Sequence, residues 1–152
     1  MQIWTFLHIL SMFGAVTVAL GAQLWVTYAI RNRDLGALRA YYRIQSRADN
    51  FSGVLLGLGV IFGLTAAITI GLNLMQSWLI IAYVLVAATL IVGGAMTPYL
   101  KRLKAALDVN EGDEPGPEVS QQLDSLMPIA AMAATTIFIA VIIWDMVFKP
   151  SF

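Results

Sequence analysis

The chain of 152 residues contains one histidine, His8, and no cysteine. His8 lies in an opening stretch, residues 1–30, that carries no Asp, Glu, Lys or Arg; Asp145, beside Trp144, lies near the other end of the chain. An imidazole and a carboxylate in apolar sequence can pass a proton, bind a metal or ligate haem. The expected role is plainer: a hydrogen-bonded His8–Asp145 pair that ties the first apolar segment to the last. One histidine supplies one ligand where metal sites gather several, so no metal site is expected. Haem b on His8 is the alternative. Met12 shares the His8 segment and cannot sit across a porphyrin from it, which leaves Met75 and Met146 on other segments. No P-loop, GxSxG or HExxH motif is present, and the absence of cysteine excludes disulfides, iron–sulfur clusters and thiol catalysis. No catalytic residue is assigned.

The elements that carry these groups follow from the charge pattern. Hydrophobic residues make up 59% of the chain and charged residues only 12%, against about 25% charged in soluble domains. Of nine basic and nine acidic residues, all but Asp145 and Lys149 fall within 31–49 and 101–124. That excludes a soluble globular domain, a disordered chain and a nucleic-acid binder. A helix needs about 20 apolar residues to cross a bilayer. Residues 3–30 supply one span. The uncharged stretch 51–100 is too long for one crossing and breaks at the Gly, Asn, Gln and Ser of 71–77, giving spans at 51–70 and 78–98. Residues 125–148 make a fourth. The runs lack the alternation of barrel strands. The expected fold is all-α: a single-domain integral membrane four-helix bundle, with loops at 31–50 and 99–124. The opening lacks the basic n-region of a signal peptide, so the first segment is expected to be a retained span.

Orientation follows from the basic residues. Arg31, Arg33, Arg39, Arg43 and Arg47 occupy the first loop; Lys101, Arg102 and Lys104 follow the third span; only Lys149 lies elsewhere. Both loops are expected to be cytoplasmic, with these side chains at the membrane surface and both termini extracytoplasmic. Trp4, Trp78 and Trp144 would then mark the outer interface, and Trp25 and Tyr28 the inner one. Residues 31–50 read as a short basic helix lying on anionic lipid, and 108–117 as a mobile acidic loop.

Lipid-embedded helices associate through small residues. Gly53 and Gly57, Gly59 and Gly63, and Gly93 and Gly94 supply smooth faces, expected first to pack the bundle internally and otherwise to meet another subunit. The expected partners are the lipid bilayer and other membrane protein subunits, with no nucleic acid. The leading functional expectation is a non-enzymatic accessory or scaffolding subunit of a larger membrane complex. The alternatives are a haem- or metal-binding redox protein using His8, and a small transporter or channel.

The opening Trp4-Thr-Phe-Leu-His8-Ile-Leu with Gly14, the Arg47-Ala-Asp-Asn-Phe51 passage and the Met96-Thr-Pro-Tyr-Leu-Lys-Arg end of the third span resemble a family of small bacterial integral membrane proteins of unknown function. That resemblance covers most of the chain and implies a multi-pass protein of the bacterial inner membrane. The Leu-His-Ile start is more distantly similar to the copper-resistance D domain and the membrane protoporphyrinogen oxidase family, which implies haem contact at His8. The second histidine and the Pro-Arg motif of that pattern are missing here.

Overall fold

A computed structural model describes residues 2–149. Its elements are α1 (Gln2–Arg31), α2 (Leu35–Thr69), α3 (Ser77–Val109), α4 (Pro117–Leu123) and α5 (Met127–Phe148). Four helices are long and apolar enough to cross a membrane, the last continuing from the short α4 into α5. No strand occurs among the described residues.

The connections form where the local chemistry calls for them. Arg33 turns the chain with a positive φ. Asp34 then caps α2, its carboxylate accepting from the Ala37 N–H at 2.8 Å and so satisfying one of the orphan donors of the first turn. At the other end of α2, Gly71 takes a left-handed conformation, and the Leu72 N–H reaches back to the Ala67 carbonyl. This is the glycine-terminated helix ending that removes unpaired carbonyls. Pro117 and Pro128 occupy the opening turns of α4 and α5, where a missing N–H costs nothing.

The helices form two hairpins. α1 packs along α2 and α3 along α5; α1 also touches α5, while α2 and α3 meet only slightly. The most deeply buried apolar cluster lies at the charged end, not midway along the apolar stretches. It joins Val26, Ala29 and Ile30 of α1, Leu35, Leu38 and Tyr41 of α2, Tyr99, Leu103 and Leu107 of α3, Val119 and Leu123 of α4 and Ala131 of α5. Leu38 and Leu103 are 0% exposed. Physical chemistry explains the location: apolar burial drives packing strongly where water is the alternative, and hardly at all between helices already in hydrocarbon. This cap clamps the two hairpins together. The Tyr42 hydroxyl donates to the Leu100 carbonyl at 2.9 Å and the Tyr99 hydroxyl to the Gln122 carbonyl at 2.8 Å.

The cap corrects two expectations. Residues 35–50 are not a separate surface helix: they are the first half of one continuous 35-residue α2, because no breaker stands between the Asp34 cap and the apolar stretch. The acidic loop is not loose either. Arg39 donates to the carbonyls of Asn110 (2.7 Å) and Gly112 (2.9 Å) and lies 3.5 Å from the Asp113 carboxylate. Asn110 knots the loop from within, donating to Gly112 and Glu114 and accepting from the Gly116 N–H. Arg39→Ala is expected to speed limited proteolysis within 110–116 about tenfold, the factor that ~1.4 kcal/mol of lost charge-assisted hydrogen bonding yields. Arg39→Lys should recover only part of this, since an ammonium lacks the planar fork.

Candidate functional site

The first hairpin is joined by two matched residue pairs. His8 and Met12 are one turn apart on α1, and Gly59 and Gly63 one turn apart on antiparallel α2. A Cβ at Gly63 would stand 2.7 Å from His8 Nδ1, and one at Gly59 would stand 2.5 Å from Met12 Sδ. Glycine leaves room at both places for α1 side chains, which occupy the space a side chain would fill. Further along the seam Leu55 approaches Gly14, and Trp4 stacks at 6.0 Å on Phe62. His8 Nδ1 lies 2.7 Å from the Gly59 carbonyl. A carbonyl can only accept, so Nδ1 carries the hydrogen of this bond.

These contacts also set depth. His8 stands beside Gly59 and Gly63, midway along the uncharged 51–70 stretch of α2, rather than at its edge.

The expected His8–Asp145 pair is not formed. His8 turns to α2 and gives its Nδ1 hydrogen to Gly59, whereas Asp145 lies on α5, and neither of its carboxylate oxygens has a hydrogen-bond partner. The hairpin geometry explains this: α5 packs on α3 and on α1, while the His8 ring lies in the α1–α2 seam. A polar contact between the hairpins occurs elsewhere, where Gln23 Nε2 donates to Thr135 Oγ1 at 3.4 Å.

As a haem site the donor set is incomplete. The Nδ1–carbonyl bond suits a ligating histidine, since it fixes the tautomer and orients the ring. Among the described residues the candidate second donors lie elsewhere: Met12 is packed on Gly59, Met75 is exposed on the α2–α3 turn, and Met146 is on α5, which packs on α3 and α1 and not in the α1–α2 seam. No group of three or more His, Cys, Asp or Glu able to hold a metal occurs among the described residues.

The remaining glycines divide sharply. Gly53, Gly57, Gly93 and Gly94 have open space where a Cβ would point, in contrast to Gly59 and Gly63. At 100° per residue Gly57 and Gly59 lie on nearly opposite faces of α2. Internal packing therefore uses only one of the two α2 glycine pairs. The basic residues project at the charged end: Arg33 pairs with Asp124 and Lys104 with Asp108, while Arg31, Arg43, Arg47, Lys101 and Arg102 are exposed.

Comparison with curated proteins and with solved structures gives no match, and similarity to the copper-resistance D type is not shown. Residues 2–150 match a family model described as "Predicted integral membrane protein (DUF2269)". With that match over nearly the whole chain and four helices able to span a bilayer, the protein belongs to the DUF2269 family of predicted integral membrane proteins.

Proposed function

We propose that this multi-pass membrane protein is a non-enzymatic subunit that docks a transmembrane helix of a larger complex against the outward glycine faces of α2 and α3. The observation that carries this reading is the open space at Gly53, Gly57, Gly93 and Gly94, at positions where neither hairpin nor cap uses them. In hydrocarbon such smooth faces let a neighbouring backbone approach closely. Both pairs lie toward the charged ends of their spans, at similar depth. Pro98 adds a second inducement. It lies inside the continuous α3 one turn after Gly94 and cannot donate the helical bond that would end on the Gly94 carbonyl; a polar backbone group facing lipid gains from a donor on a neighbour. The basic residues at the charged end support a cytoplasmic cap with both termini outside, in a bacterial inner membrane.

Photo-crosslinking in cells tests this. A benzoylphenylalanine at Val54, exposed beside Gly53 and Gly57, is expected to give a discrete protein adduct that Gly57→Leu abolishes. The same probe at exposed Phe13 on α1 should give none. Lipid adducts alone from Val54 would overturn the reading.

A further inference from the structure

The Asp145 side chain is 0% exposed, and both its carboxylate oxygens are buried without a hydrogen-bond partner. Two contacts locate it. Asp145 lies ten residues, about 15 Å, beyond Thr135 along α5, and the Gln23–Thr135 bond therefore places it level with buried Ser11 and Ala15 on antiparallel α1. Lys149, one turn further on, sits over the Trp78 ring at 5.5 Å, which places Asp145 level with buried Leu79 and Ala82 on α3.

Among the described residues nothing around it offsets a negative charge. α1 brings no Asp, Glu, Lys or Arg before Arg31, and its histidine is bonded to Gly59 in the other seam. α3 brings none before Lys101; Tyr83 is exposed and Tyr99 lies far away in the cap. On α5 and its cap the only other formal charge among the described residues is Lys149, whose ammonium is held by Trp78. An unpaired anion enclosed in this way carries a desolvation cost that no contact repays, whereas the neutral acid carries little.

We propose that Asp145 is a proton-binding site: it holds a proton while α5 is seated against α1 and α3, and releases it to water at the turn end when α5 lifts. Along α5 the carboxyl lies one helical turn from the exposed Lys149. No oxidant or co-reactant is needed; the proton passes between one carboxyl oxygen and water. Protonation thereby becomes the condition for closing the half of the molecule that the cap does not reach.

Infrared spectroscopy of the full chain in lipid nanodiscs tests the assignment. At neutral pH the wild type is expected to show a protonated-carboxyl stretch at the high-frequency end typical of acids without hydrogen bonds, shifting slightly in deuterium oxide and missing from Asp145→Asn. The other eight Asp and Glu residues lie at the charged end and would not mimic that frequency, so the wild-type band is informative even if the variant folds poorly. As pH is raised the band should fade, and the protection factors of the amides over 141–148, corrected for the intrinsic rise of exchange with pH, should fall in the wild type but not in Asp145→Asn. Absence of the band from folded wild type, its persistence in Asp145→Asn, or wild-type protection factors over 141–148 indifferent to pH would each overturn the proposal.

Discussion

Leu103→Ala is expected to destabilise the protein by about 2–5 kcal/mol, the range for large-to-small changes at fully buried sites. Leu103 is 0% exposed and belongs to the cluster that draws on all five helices, so its loss opens a cavity where the two hairpins are clamped most extensively. Leu38→Ala should behave alike, for the same reason. The comparison that gives the result meaning is Leu90→Ala, since Leu90 is an exposed side chain of α3 and should change stability by less than about 0.5 kcal/mol. Thermal or SDS unfolding in a mild detergent, followed by helicity, measures all three. Equal losses at Leu90 and Leu103 would mean that the cap is not the dominant clamp.

Gly63→Ala is expected to cost about 1–3 kcal/mol from overpacking, together with the His8–Gly59 hydrogen bond, worth about 0.5–1.5 kcal/mol. The new methyl would meet an imidazole ring edge at 2.7 and 2.9 Å, and a ring can move only as a rigid body. Gly59→Ala makes a still shorter nominal contact, 2.5 Å, but with the Met12 thioether, whose rotatable chain can turn aside, so a smaller loss is expected there. Gly53→Ala and Gly57→Ala meet open space and should leave the isolated protein unharmed. The order Gly63, then Gly59, then the outward pair is measurable by the same unfolding experiment, and the His8 ring-proton resonance should shift only in Gly63→Ala and Gly59→Ala. A uniform effect across the four would remove the argument for two differently used glycine faces.

Much of the architecture could be read from where charge is missing. The crossings and the glycine-bearing turn at 71–77 needed only hydropathy and breaker residues. The continuity of α2 did not emerge, because a basic amphipathic segment followed by an apolar one looks like two elements when composition alone marks the border. The Asp34 cap and the want of any helix stop near residue 50 were the better guide. The order of the acidic loop is not legible in sequence for a related reason: its anchor, Arg39, is remote in sequence, and its strongest bonds end on backbone carbonyls, which have no sequence signature. His8 was assigned a partner by charge complementarity, yet in the structure a backbone carbonyl serves instead. One signal did exist, namely the common four-residue spacing of His8 with Met12 and of Gly59 with Gly63, large side chains matched to absent ones. The isolation of Asp145 could not be read from sequence, since it depends on which way α5 is rotated.

The cap has a consequence for biogenesis. Its residues run from Val26 to Ala131, so a nascent chain cannot complete it until nearly all of the polypeptide has left the ribosome. Until then the first hairpin must wait in the bilayer with little beyond its own seam, the ring and thioether of α1 seated on two bare positions of α2. That seam is therefore the early checkpoint of assembly and the cap the late one. A lesion in the first should expose the unfinished chain to membrane proteases during translation, and a lesion in the second only after release.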